Sequence, residues 1–307
     1  MKKVYYAEAN YSDEEIDAVI EVLKNNRLAL MCGKNVQKLE NKVSDIFNKE
    51  FGLMTNSGSS ANLIGVQALN LKKGTKVITP SLTFSTTVSP IVQSGLKPFF
   101  IDVERETMQI DTSILKKIPL DEVSAICVPN LIGNVANWEE IYNFAKENNL
   151  KTIEDSADTI GYTVNGKNLG KFSDITTNSF YASHIINGAG TGGIVCFNDF
   201  NLYQRAKLLR GWGRSSATFN ESENANKRFN VKISGIDYDA KYIFSELGYN
   251  FLPSEISAAF AIEQLKKLKK NIIIRRKNFK YLNEFFSKYT DLFKLPEEYD
   301  GVITPWL

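Results

Sequence analysis

The chain is 307 residues long, 43% hydrophobic and 23% charged, with a formal net charge of +2. That balance suits a globular protein with a sizeable core, in one large or two smaller domains, and gives no electrostatic case for nucleic acid or an anionic membrane. No apolar run approaches the roughly 20 residues that span a bilayer, the N-terminal MKKVYYAEANYSDEE lacks a signal-peptide core, and Cys32, Cys127 and Cys196 are far apart with no CxxC pair, which together predict a cytoplasmic protein with reduced thiols and no metal site.

Ser12-Asp13-Glu14-Glu15 has the form of a capping box, with Glu three residues after a Ser N-cap. It opens an amphipathic helix whose apolar face carries Ile16, Val19, Ile20 and Leu23. A second helix is expected over roughly Gly33 to Lys49. Phe51 to Thr55 reads as a strand that ends in the small, hydroxyl-rich stretch Asn56 to Asn62, and LIGVQAL after it as helix. From there strands and helices alternate: strand at Val77-Ile78, helix over Ser85 to Gln93, strands at Pro98 to Val103 and Ala125 to Pro129, helix over Trp138 to Asn148, strand at Lys151 to Glu154. This alternation predicts an α/β sandwich around a largely parallel sheet. Asn165-Gly166 marks a hairpin turn. Asp174 to Ser183 and Gly193 to Phe197 read as further strands, and Phe200 to Arg210 as helix. Residues 213–240 are polar and read as a long loop or lid. Pro253-Ser254-Glu255 starts a long helix, with Pro at its first turn, that runs to about Tyr289; its lysine runs read as a wet face.

Four features carry chemistry. Gly188, Gly190 and Gly193 spell GxGxxG, but a dinucleotide fingerprint needs a helix after the glycines, and here the β-rich IVCFND follows. These glycines read as a tight turn instead. Asn56 to Asn62, at a strand-to-helix junction, can offer N–H and O–H groups to an anion, although plain N-capping by Ser59 or Ser60 is the simpler alternative. Asp155 and Asp158 follow a buried strand at the sheet edge where α/β proteins bind ligands; a helix N-cap is the alternative there. His184 is the only histidine. No Cys/His cluster makes it a metal ligand, and no GxSxG elbow makes it part of a hydrolase triad.

Together, in this order, NSGSSAN, TFSTTVSPIVQSGLKPFFIDV, IEDSADTIG, SFYASH with GTGG, RGWGR and LGYNFLPSEISAAF resemble the pyridoxal-phosphate-dependent sugar aminotransferase family named after DegT, DnrJ, EryC1 and StrS. The resemblance covers nearly the whole chain. It implies a type I transferase fold, a three-layer sandwich, with a large cofactor-binding domain over residues 1–250. Residues 251–307 would be a long helix and the start of a small C-terminal domain that is largely missing. It also implies that Gly58, Ser59 and Ser179 cradle the cofactor phosphate, that Phe84 stacks on the pyridine ring and that Asp155 keeps the ring nitrogen protonated. Asp158 stands where the family has a Gln or Glu touching the ring oxygen. Asn250 matches an asparagine that reaches the partner subunit's cofactor, so a homodimer with shared active sites is expected.

In SFYASH the last residue is the family's Schiff-base lysine, and here it is His184. An imidazole has no primary amine to form that bond. Lys167 and Lys171, the nearest lysines, lie in the predicted hairpin. Histidine here resembles the branch that removes the 3-hydroxyl from nucleotide-linked 4-keto-6-deoxy sugars with pyridoxamine phosphate, the imidazole acting as base and then acid. Of its two sub-types, one holds an iron–sulfur cluster and needs four clustered cysteines; three isolated ones point to the cluster-free type, that of GDP-4-keto-6-deoxy-mannose 3-dehydratase, with L-glutamate as amino donor. An aminotransferase with an atypical site and a non-catalytic homologue that keeps the fold remain as alternatives. The turn GAGTGG is one residue longer than the family's GEGG and lacks its acid.

Overall fold

A computed structural model describes residues 3, 5, 7–27, 29–168, 170–219 and 225–306. Helices α1 (Asp13–Asn25) and α2 (Lys34–Ile46) lead to β1 (Phe51–Thr55) and α3 (Gly58–Ala68). Next come β2 (Lys76–Pro80), α4 (Ser85–Gln93), β3 (Lys97–Ile101), the single turn α5 (Thr112–Leu115), β4 (Val123–Pro129), α6 (Trp138–Glu147) and β5 (Lys151–Asp155). The short β6 (Thr163–Val164) precedes β7 (Ile175–Ser179), β8 (Gly193–Phe197) and α7 (Phe200–Arg210). A small excursion holds α8 (Ala225–Phe229), β9 (Val231–Ile233) and β10 (Ile236–Tyr238); α9 (Glu255–Phe286) and β11 (Val302–Ile303) are the last elements.

Among the described residues the main sheet has seven strands in the order β1-β8-β7-β5-β4-β2-β3. Only β8 runs against the rest, pairing antiparallel with β1 and β7. The central strands are buried on both faces, with helices covering both. Adjacent residues divide accordingly. Met54, Ile78, Ile126 and Ile194 pack with α2, α6 and α9, whereas Leu53, Val77, Ala125, Ile153 and Val195 pack with α3, α4 and α7. The predicted three-layer α/β sandwich is the observed one.

Several predicted details differ. α1 does not bury its apolar face: Ile16, Ile20 and Leu23 are exposed, while Glu15 and Val22 are buried. The Glu15 carboxylate closes the capping box by accepting from the Ser12 N–H at 3.0 Å. It also draws Gln264 (2.6 Å) and Lys267 (2.7 Å) of α9 onto α1. β7 ends at Ser179 rather than Ser183, because the chain turns just after it, His184 N–H bonding to Tyr181 O and Gly188 N–H returning to Phe180 O. Asn165 and Gly166 do turn with positive φ, but β6 finds its main partner in β11. The predicted lid contains the β9–β10 hairpin; its residues 220–224 lie outside the described residues. The N-terminal half of α9, including Ala258, Ala261 and Leu268, belongs to the main core, so the expected boundary after residue 250 falls just ahead of core-forming helix.

Candidate active site

The C-terminal ends of β1, β5 and β7 bring the predicted residues together. Ser57, not Ser59 or Ser60, caps α3, its Oγ accepting from the Ser60 N–H at 3.1 Å. Ser59 is left exposed and Gly58 half-buried at the start of an 11-residue helix, where free N–H groups and the helix dipole favour an anion. Glycine is required at 58: a Cβ there would lie 2.6 Å from Ser179 Cβ and 2.9 Å from its Oγ. The Ser179 hydroxyl thus adjoins the helix start, and Gly58, Ser59 and Ser179 present small and hydroxyl groups around it as a candidate anion cradle.

Asp155 ends β5 on the α3–α4 side of the sheet. It is buried, and Asn62 Nδ2 (2.8 Å) and Thr87 Oγ1 (2.9 Å) both donate to its Oδ2. Its Oδ1 accepts from Ala157 N–H at a longer 3.3 Å. Burial pushes this carboxyl above the ordinary range, against the pull of those donors. A buried carboxyl with one oxygen saturated and the other loosely held is matched to a cationic N–H. Asn62 is itself anchored, accepting from Thr177 Oγ1 and donating to Thr86 O.

His184 lies in the loop after β7, its own N–H bonded to Tyr181 O. Its Nδ1 is 3.4 Å from Ser179 O, a carbonyl that can only accept. That contact favours the tautomer with the proton on Nδ1 and the lone pair on Nε2. Nε2 faces Asp158 Oδ1 at 3.8 Å. Burial lowers the histidine's pKa, which favours the neutral ring. Burial, reinforced by the charge of Asp155, pushes the Asp158 carboxyl up to about 7. A neutral imidazole beside a half-titrated carboxyl can take up and return a proton near neutral pH.

Phe84, the residue before α4, exposes 69% of its surface and offers an open ring face. Asn250 is exposed and bridges backbone-to-backbone with Gly211; no hydrogen bond joins its side chain to the cradle of its own chain among the described residues. The positive charge of Arg275 on α9 acts on both groups, favouring the ionised Asp158 carboxyl and opposing protonation of His184. Sequence reasoning missed Asn62, Thr87 and Arg275. The first two fall within the quoted segments NSGSSAN and TFSTTVSPIVQSGLKPFFIDV, but on helices whose approach to Asp155 no local pattern shows, and Arg275 sits in a basic run that resembles a solvated face. The donor set fits a group with a phosphate at one end and a cationic ring nitrogen at the other.

A model of the DegT/DnrJ/EryC1/StrS aminotransferase family matches residues 10–302. The chain belongs to this family. Similar DegT/DnrJ/EryC1/StrS-family sequences include the lipopolysaccharide biosynthesis protein RfbH of Salmonella typhimurium, 34% identical over 90% of this chain and 66% of that protein. Another is the GDP-4-keto-6-deoxy-D-mannose 3-dehydratase of Escherichia coli O55:H7, 34% identical over 93% of this chain and 72% of the enzyme. Among solved structures, the E. coli GDP-4-keto-6-deoxy-D-mannose-3-dehydratase with bound hydrated PLP superposes with a TM-score of 0.86 at 31% identity, over 99% of this chain and 78% of that one. The chain thus spans roughly two thirds to three quarters of these relatives' lengths.

Proposed function

We propose that the protein binds pyridoxal 5′-phosphate and its pyridoxamine form, and that it removes the 3-hydroxyl of a nucleotide-linked 4-keto-6-deoxy sugar, with L-glutamate as amino donor. The observation that carries this reading is the placement of His184, with Nδ1 turned to Ser179 O, Nε2 facing Asp158, and the Gly58–Ser179 cradle adjoining it. The bound cofactor supplies an electron sink through its pyridinium ring. Gly58, Ser59 and Ser179 hold its phosphate, Phe84 covers the ring, and Asp155 keeps the ring nitrogen protonated. Nε2 of His184 takes a proton and later returns it to the departing hydroxyl. Asp158 faces the ring oxygen and holds a proton beside the imidazole. That residue 184 is an imidazole and not a lysine amine supports a non-covalently held cofactor over ordinary transamination.

The protein is further proposed to act as a homodimer in which Asn250 completes the partner's phosphate cradle. The exposed apolar residues of the same segment, Tyr242, Phe244 and Leu247, support a covered surface there. Among the described residues no helix is long and apolar enough to cross a membrane, in keeping with a cytoplasmic biosynthetic role. The test is His184→Asn: cofactor affinity by equilibrium dialysis should stay within about threefold, and release of the 3-hydroxyl should fall by 10²-fold or more, the scale of a lost general acid–base. Borohydride trapping of a lysine on the wild-type protein, or dehydration undiminished in the variant, would overturn the reading.

A further inference from the structure

The loop after β4 holds a conformation that none of the roles above explains. Ile132 takes φ +56° and ψ +21°, and Gly133 follows with φ +79°. Glycine enters the left-handed region freely, whereas a β-branched residue does so only when its surroundings impose it. Here they do. The buried Gln109 grips Leu131 at two points: its Nε2 donates to Leu131 O at 3.1 Å, and its Oε1 accepts from Leu131 N–H at 3.2 Å. Asn134 N–H closes the turn onto Leu131 O at 3.0 Å. The buried Asn134 side chain donates to Thr107 O and Glu297 O, both at 2.9 Å, and the buried Thr304 hydroxyl donates to Gly133 O. Three distant stretches of chain thus fix the residues on either side of Ile132.

This loop runs beside the one that carries Asp158. β4 and β5 are parallel neighbours, paired as far as Pro129 with Asp155. Asn130 N–H then donates to Asp155 O at 2.9 Å, and Asn130 Nδ2 to Ser156 Oγ at 2.8 Å, so the two loops leave the sheet tied together. Ile132 and Asp158 each stand three residues past the last pair. The Ile132 main-chain N–H bonds toward the Asp158 carboxylate and favours its ionised form. The other groups acting on the pair come from different elements. Asp155 of β5 opposes ionisation of Asp158, and Arg275 of α9 favours it. Ser179 O holds Nδ1 of His184, whose Nε2 lies 3.8 Å from Asp158 Oδ1.

We propose that Ile132 is a positioning residue: the fold forces its backbone into the left-handed region so that its N–H anchors the Asp158 carboxyl facing His184. Gln109, Asn134 and Thr304 act through it. A side-chain donor would rotate with its rotamers, whereas a clamped main-chain N–H is fixed in direction before the reaction begins. The carboxyl beside the proton-carrying imidazole is thereby kept in one place. This inference rests on the proposed pairing of Asp158 with His184.

Its test needs neither cofactor nor turnover. His184 is the only histidine, so its Cε1–H signal in proton NMR of the full chain, with no cofactor added, reports the site directly. The shift of that signal with pH follows the imidazole and the neighbouring carboxyl, and Asp158→Asn identifies the carboxyl's step by removing it. Gln109→Ala frees Ile132 to relax to negative φ, and should move the Asp158 step up by about one pH unit, the scale of a lost hydrogen bond to a charged group. Thr304→Val removes the bond onto Gly133 O and should give a smaller shift in the same direction; it serves in place of Gln109→Ala should that variant not fold. Ile132→Gly, added to either, stays left-handed without a clamp and should return most of the step towards its wild-type position. An Asp158 step that stays in place in the folded clamp variants, or that Ile132→Gly fails to return, would overturn the assignment. Should the step follow Ile132 while no sugar is dehydrated, the reaction falls and the positioning role stands.

Discussion

Thr87→Val tests whether the buried carboxyl at the sheet edge works as the partner of a ring cation. Thr87 Oγ1 donates to Asp155 Oδ2 at 2.9 Å and is itself buried, so valine removes one hydrogen bond while nearly preserving shape. A hydrogen bond to a charged group contributes about 1.5–3 kcal/mol, and about 1.4 kcal/mol is tenfold in affinity. Burial already pushes the Asp155 carboxyl upward, and Thr87 is one of the two side-chain donors opposing it. Without Thr87 the proton shifts from the ring nitrogen toward the carboxyl. Cofactor affinity should then fall by about 10- to 100-fold at pH 7.5. Fluorescence titration or equilibrium dialysis reads this directly, with far-UV circular dichroism confirming the fold. Thr87→Ser should restore most of the affinity. The decisive control is the cycle with Asp155→Asn: in that background Thr87→Val should cost little, because there is no anion left to stabilise. An undiminished effect in the Asp155→Asn background, or none in the wild type, would refute the reasoning.

Other expectations follow from the same geometry. Asp158 has a folded-state pKa of about 7 against an ordinary 3.8, so below pH 4 both folded and unfolded chains hold the proton. Between pH 4 and 7 the unfolded chain loses it and the folded one keeps it, so this group's stabilising contribution is lost as pH rises through that window. Asp158→Asn should therefore gain melting temperature relative to wild type between pH 5 and pH 8; a constant difference across that range would contradict the assignment. Gly58→Ala places a Cβ 2.6 Å from Ser179 Cβ and should lower cofactor affinity at least tenfold, read by dialysis, with inorganic phosphate protecting the wild type better than the variant against thermal unfolding.

The sheet was legible in the sequence because strands buried on both faces and separated by helices leave a strong alternation. The location of the site was legible because its anchors sit at strand ends: Gly58 and Ser59 after β1, Asp155 at the end of β5, Ser179 at the end of β7. What the sequence hid is tertiary. Ile16, Ile20 and Leu23 form a regular apolar face that predicts burial, yet α1 meets α9 through the Glu15 carboxylate instead. Asn62 is an ordinary helix residue until α3 is laid across β5 and β7, when its two amide atoms join Thr177 to Asp155. Arg275 is one base in IIIRRKN until the chain returns at Trp306 and its carbonyl accepts from the guanidinium at 2.9 Å. Each of these depends on contacts between residues far apart in sequence, to which local periodicity is blind.

The adjacent acids Glu154 and Asp155 show how the fold separates structure from chemistry. Successive strand residues face opposite sides of a sheet, so the two carboxyls meet different layers. Glu154, only 1% exposed, is surrounded on the α6–α9 side. Asn130 (2.9 Å), Ser156 (2.7 Å) and Tyr162 (2.7 Å) donate to one of its oxygens, and Ser173 and Thr176 (both 3.1 Å) to the other. Both oxygens are filled, and nothing remains for a ligand. Asp155 has strong donors on one oxygen only. Substitution should therefore separate the two roles. Glu154→Gln turns an acceptor into a donor amid other donors and should cost about 1–3 kcal/mol of stability, several degrees in melting temperature, with cofactor affinity in the surviving folded protein unchanged. Asp155→Asn should do the reverse. It removes a buried carboxyl whose raised pKa makes its ionised form costly, so the cofactor-free protein should melt no lower at pH 8, and cofactor affinity should collapse. A Glu154 variant that loses cofactor without losing stability, or an Asp155 variant that unfolds while binding normally, would show that the division between the two faces of β5 is wrong.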